Sequence, residues 1–214
     1  IPVDANAAVA QYLDHWRPVF THREPDDPSM QSLLRHVRPG FSELVACLVM
    51  KRTDFDALVD RTPDSAPGPD GIPYRIWKIS GESVRRALYS GYFKWTAGCR
   101  LPEQFGHSFL WLIPKNATGA DPRKPCMLAD TRPLSGANTD SKLFAAALAS
   151  IFRAAVSQWA LPCQRGFVKG RDLLANVAEI DNAGLVVAGN LQSRTATILF
   201  DFKAAFPSLN RTFL

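Results

Sequence analysis

The sequence predicts an α+β protein, mostly helical with a few strands, and three observations lead there. Leu143, Phe144, Ala147, Leu148, Ile151, Phe152, Ala155, Val156 and Trp159 recur at helical spacing over seventeen residues, the stripe of an amphipathic helix. Two short apolar runs, His107 to Ile113 and Ala196 to Phe202, have strand length and composition. Clusters of Pro and Gly punctuate the rest, most densely in Pro67-Gly68-Pro69-Asp70-Gly71, which neither a helix interior nor a central strand tolerates.

In chain order, a short helix is expected over Ala7 to Trp16, and a loop over Arg17 to Pro28, where prolines stand at 18, 25 and 28. A helix follows from Ser29 to Val37, closed by Pro39-Gly40. Phe41 to Val59 suits a helix broken near Thr53. After the Pro/Gly turn, Pro73 fits the first turn of a helix reaching Lys94, where its missing N–H costs nothing. The strand ends at Pro114-Lys115, and a polar loop from Asn116 to Thr131 leads to Arg132-Pro133-Leu134-Ser135. Thr139 or Asp140 caps the long helix, and Leu161-Pro162 ends it. Asp172 caps another helix to about Val187, with Leu173, Leu174, Val177 and Ile180 inward. In the last run, alternation sets Ile198, Phe200 and Phe202 on one face. Pro207 opens a further helix.

Composition excludes several classes. Hydrophobic residues are 46% and charged residues 21% of 214, an ordinary globular balance. The longest apolar stretch, Leu143 to Phe152, is half the length of a membrane span, so no membrane association is expected. No cationic leader opens the chain, and a start at Ile1 rather than Met points to a fragment. Four cysteines form no C-x-x-C, so they read as reduced intracellular thiols. G-x-S-x-G and H-E-x-x-H are absent, which leaves a hydrolase without support. The net charge is +5, and all the excess lies after residue 106, with 12 Lys+Arg against 7 Asp+Glu. A basic half points to a polyanionic partner and equally to a soluble basic surface.

Asp201 is the leading candidate for chemistry. A carboxylate at the C-terminal end of an apolar strand is well placed to ligate a hard cation such as Mg²⁺. Taken alone, such an Asp also serves to cap the next helix or to meet solvent.

Four segments, in order, resemble the reverse transcriptase of LINE-type (non-LTR) retrotransposons. Ala66-Pro67-Gly68-Pro69-Asp70-Gly71-Ile72-Pro73 is similar to the family's S-P-G-P-D-G-I-P turn. Leu112-Ile113-Pro114-Lys115, then Arg132-Pro133-Leu134-Ser135 and Lys142-Leu143-Phe144, is similar to L-I-P-K, R-P-I-S and K-I/L. Gln164-Arg165-Gly166-Phe167-Val168-Lys169-Gly170-Arg171 is similar to Q-x-G-F-x-x-G-R, and Asp201 to Phe206 to D-x-x-x-A-F. The resemblance covers about residues 60–214. It departs from the family at Ser65 (usually Lys), Thr131 (commonly aromatic) and Pro207 (commonly Asp).

The resemblance implies a helical N-terminal segment over 1–60, a fingers-type region over 61–194 and the start of a right-hand palm over 195–214. It implies an RNA-directed DNA polymerase that takes an RNA template, a DNA primer, deoxynucleoside triphosphates and Mg²⁺, and acts in the nucleus. In that frame Asp201 is a catalytic metal ligand, Phe206 the ring that excludes a ribose 2′-OH, and Arg132 and Lys115 contacts to the nucleotide. Arg171, Lys169, Gly166 and Gly170 lie beside nucleic acid. The family's aromatic-x-Asp-Asp element occurs nowhere in the 214 residues. One carboxylate cannot build a two-metal site, so this polypeptide alone is expected not to polymerise. The alternative is a non-catalytic nucleic-acid-binding remnant that keeps a polymerase-like fingers module.

Overall fold

A computed structural model describes residues 4–21, 24, 26–36, 40, 50–115, 128–189, 196, 198–201, 205 and 209. The described residues mix helices with one two-stranded antiparallel sheet, in keeping with an α+β class. Among them no helix is long and apolar enough to cross a membrane.

Helix α1 spans Ala5–Phe20, with Asp4 accepting the Asn6 N–H as N-cap. It runs on across Pro18, where a loop was expected. Pro18 removes one hydrogen bond near the helix end. The Trp16 and Phe20 rings, 5.9 Å apart at i, i+4, hold the last turn together. Helix α2, Asp27–Leu34, starts two residues earlier than expected, because Pro28 fits the first turn behind the Asp26 cap. The expected helix over Phe41 to Val49 lies outside the described residues. Helix α3 covers Arg52–Arg61.

The sequence also predicts one helix from Pro73 to Lys94, but two form: α4, Tyr74–Ile79, and α5, Glu82–Thr96. Ser80 is extended and Gly81 caps α5. Arg85 stabilises the break by donating to the Lys78 carbonyl that the helix end leaves open, and to Asp60 of α3, both at 2.6 Å. That bond holds the Asp60 carboxyl below its ordinary pKa.

Strand β1 covers Ser108–Pro114 and β2 Thr131–Ala137, in register from Ser108 opposite Ala137 to Pro114 opposite Thr131. The sequence anticipates β1 but not β2, whose Pro133 and Gly136 are poor strand formers. Pairing with β1 overrides that preference, and Gly136 has a steric reason. The Trp111 ring lies over it so closely that a Cβ there would fall 2.4 Å from ring carbons.

Helix α6, Thr139–Trp159, carries the predicted stripe and begins one residue earlier than expected, with Asn138 as its N-cap. It buries Leu143, Phe144 and Ala147 against Phe55 and Val59 of α3, Tyr74 of α4 and Tyr92 of α5. Phe144 is the hub, with the rings of Phe105, Tyr92 and Trp95 centred 5.1, 5.7 and 5.9 Å away. Such pairs add about 0.5–1.5 kcal/mol each beyond area burial.

Two further expectations are corrected. Helix α7, Leu174–Ala188, covers nearly the expected range, but its N-cap is Leu173 rather than Asp172, whose carboxylate accepts the Leu174 N–H at 2.9 Å from one residue further back. Its apolar residues, however, do not face inward: Leu173, Leu174, Val177 and Ile180 are 57%, 72%, 61% and 52% exposed. Periodicity sets an apolar face, but a packing partner is needed to bury it, and α7 has no buried residue. The second correction concerns Ala196 to Phe202. Within that run Ile198 to Asp201 form no strand, because a strand exists only when paired, and among the described residues neither β1 nor β2 pairs with them.

Candidate nucleic-acid interface

The Pro/Gly turn closes with the Gly71 N–H donating to the Gly68 carbonyl at 3.1 Å. Pro69 and Asp70 take its central positions, and Gly71 follows in the left-handed region at φ 73°. The Asp70 carboxylate accepts the Ile72 N–H, an Asx turn that stiffens the loop. The turn is pressed onto the start of α6, where a Cβ on Gly68 would fall 2.4–2.6 Å from Asn138 atoms.

Asn138 and Thr139 tie this junction together. Asn138 Oδ1 accepts the Asp70 N–H at 3.2 Å, and its Nδ2 donates to the Gln104 carbonyl at 3.2 Å. The Thr139 hydroxyl donates to the Ile72 carbonyl at 2.8 Å and accepts from Trp77 Nε1 at 2.7 Å. Sequence reading missed both roles: it offered Thr139 only as a helix cap and did not single out Asn138. Asp140 follows, half-buried, and burial pushes its carboxyl above the ordinary pKa, with the Asp70 charge adding to the shift. A two-residue helix start thus joins segments more than sixty residues apart.

The hairpin aligns the two other motif segments. Leu112 stands opposite Pro133 and Ile113 opposite Arg132. The alternation of the pleat sets Phe109, Trp111, Ile113, Arg132 and Leu134 on one face. All five side chains are exposed, and the Phe109 and Trp111 rings lie 5.8 Å apart. The result is an apolar, partly aromatic face with one guanidinium on it. The sequence singled out Arg132 but not the two rings, whose common face needed the strand pairing. Lys115, at the hairpin end, turns its ammonium to the Ala129 carbonyl at 2.7 Å. It therefore ties the end of β1 to the short segment that precedes β2.

The Gln164–Arg171 segment is a series of turns in which Phe167 (φ 62°) and Gly170 (φ 79°) are left-handed. Arg171 donates to four main-chain carbonyls, those of Ser157, Ala160, Leu161 and Gln164. The carbonyls of Ser157 and Ala160 end α6, where backbone acceptors lack helical partners and the helix dipole favours a cation, and those of Leu161 and Gln164 lie in the turn that follows. The guanidinium expected beside nucleic acid closes a helix. Lys169 is exposed, while Gly166 is half-buried with Leu173 beside it. Arg165 bridges the same loop to Asn176 and Glu179 of α7.

Asp201 is exposed, and Phe206 lies outside the described residues. Among the described residues no three His, Cys, Asp or Glu side chains converge on a position that could hold a metal. The described donors by themselves do not make up a complete Mg²⁺ site. No protein-family model matches the chain.

Proposed function

We propose that this chain carries the fingers-type region and first catalytic carboxylate of an RNA-directed DNA polymerase of the LINE type, a nucleotidyltransferase of a transposable element. One observation carries the reading. Two of the four segments that resemble the family's motifs, the Pro/Gly turn and the pair Leu112-Ile113-Pro114 and Arg132-Pro133, lie apart in sequence yet come together around the start of α6 and the hairpin. The Pro/Gly turn docks on the helix that follows Arg132-Pro133-Leu134-Ser135, and Leu112-Ile113-Pro114 pairs with Thr131-Arg132-Pro133.

In this reading RNA template and DNA primer are the macromolecular partners, and deoxynucleoside triphosphates the small ones. Arg132, an always-charged fork of donors, contacts phosphate oxygens. Phe109 and Trp111 offer ring faces on which bases stack regardless of sequence, each stack worth about 1–3 kcal/mol. Asp201 supplies one carboxylate toward Mg²⁺, and no catalytic step is assigned to these residues alone. The nucleus is the compartment in which such an enzyme meets its target DNA.

The test is RNA-templated primer extension by the product of the complete reading frame, wild type against Asp201→Ala. Loss of extension supports the reading, and extension that survives the substitution refutes it. The exposed Arg132 beside the Phe109 and Trp111 rings favours a second reading, a non-catalytic nucleic-acid-binding module. It predicts salt-dependent RNA binding that Arg132→Ala weakens, with no extension by either protein.

A further inference from the structure

The loop between α6 and α7 holds out a ring that the fold does not use. Phe167 is fully exposed, at 108% of its reference surface. Its backbone is left-handed, φ 62°, and no other non-glycine residue among those described adopts that region. Bulky side chains avoid that conformation, and the ring gains no burial in return.

The loop is braced on both sides of the ring. Gln164 Nε2 donates to the Gly166 carbonyl at 3.0 Å, and Arg165 reaches Asn176 and Glu179 of α7. Beyond the ring, Val168 is buried, and its carbonyl accepts the Arg171 N–H at 3.2 Å. The Arg171 guanidinium in turn ties the loop to the end of α6. A ring presented by a braced loop is ordered before its partner arrives, which lowers the entropy lost on binding.

Charge decides which partner. Residues 164–171 contain three cations and no carboxylate. Arg165 is paired with Glu179. Lys169 is exposed, and among the described residues neither it nor Arg171 forms an ion pair with a carboxylate. A bare ring two residues from an unpaired ammonium suits a nucleobase and the phosphate beside it. A duplex keeps its bases stacked on one another, whereas a single strand can splay a base onto a ring.

We propose that Phe167 is a stacking residue for single-stranded RNA and that Lys169 takes a phosphate of the same strand. The proposal rests on the polymerase reading, in which an RNA template is the partner.

The test is binding of a labelled oligouridylate to the full 214-residue chain over a salt series, beside urea unfolding of each variant. Phe167→Gly removes the ring and suits the backbone, since glycine adopts a positive φ freely. It should unfold no more easily than wild type, yet bind about 5–150-fold more weakly with an unchanged salt slope. Phe167→Tyr keeps a stacking face and should bind like wild type. Lys169→Ala should lower the slope by about 0.7. Pairing the same strand with oligoadenylate should abolish the difference between wild type and Phe167→Gly. Any of five results overturns the proposal: Phe167→Gly binds the single strand as tightly as wild type, Phe167→Gly unfolds more easily, Phe167→Tyr binds as weakly as Phe167→Gly, Lys169→Ala leaves the slope unchanged, or the duplex loses as much affinity to Phe167→Gly as the single strand does. If Arg132→Ala weakens binding and the Phe167 variants do not, the ring is refuted and the polymerase reading stands. If wild type does not bind the single strand, the proposal fails together with the nucleic-acid reading of the chain.

Discussion

Arg171→Ala separates a structural from a nucleic-acid role at the residue where sequence and structure diverge most. The guanidinium donates to the carbonyls of Ser157, Ala160, Leu161 and Gln164. Each hydrogen bond contributes about 0.5–1.5 kcal/mol net, and a cation at a helix C-terminus adds about 0.3–1 kcal/mol. Arg171 is only half-buried, so water replaces part of what is lost, and the expected destabilisation is about 2–3 kcal/mol. For a chain of this length that lowers Tm by roughly 4–12 °C. Arg171→Lys keeps the charge but offers three donors from one point instead of a fork, so it should recover less than half. Urea unfolding followed by far-UV dichroism gives the free energies, and a salt series of single-stranded RNA binding runs beside it. If Arg171→Ala leaves stability within 0.5 kcal/mol of wild type while RNA binding falls, the guanidinium serves phosphate and the helix-closing argument fails.

The remaining predictions concern the turn junction, the hairpin and the helix start. Thr139→Val keeps shape but removes the hydroxyl that joins Ile72 to Trp77. Leaving those two groups unpaired should cost about 2–3 kcal/mol, read by urea unfolding, and Thr139→Ser should restore most of it. Gly136→Ala drives a Cβ into the Trp111 ring. The exposed ring can swing away, so stability should fall by less than about 1 kcal/mol, while near-UV dichroism and RNA affinity both change. Asp140 has a raised carboxyl pKa in the folded state, so the folded chain holds its proton to higher pH than the unfolded chain. Its contribution is fully present below the ordinary aspartate range and is lost as pH rises through the raised value. Asp140→Asn should therefore stabilise the protein at neutral pH, with the gain shrinking on acidification. Asp60 and Glu179 act in the opposite sense, because arginine partners lower their pKa values. Their contribution is present at neutral pH and is lost as pH falls through those lowered values.

How much was legible follows from what each feature depends on. The α6 stripe, the β1 run and the Pro/Gly turn rest on local rules of spacing and steric restriction, and the sequence determined them. It also determined the charge asymmetry and the order of motif-like segments, from which the polymerase reading comes. Strand β2 was not legible, because Pro133 and Gly136 are tolerated only where a facing Leu112 and an overlying Trp111 ring exist. The break at Ser80-Gly81 depended on Arg85 reaching across to Asp60. The exposed side of α7 depended on tertiary packing, which periodicity does not encode, and among the described residues nothing buries that side. Nor could composition assign Arg171 to the end of α6 rather than to a phosphate, since a guanidinium serves both equally well. Only the tertiary structure decided, by bringing four carbonyls within its reach. Local propensity acts within a few residues, whereas the roles of Asn138, Thr139 and Arg171 are set by groups that sequence separation hides and folding brings together.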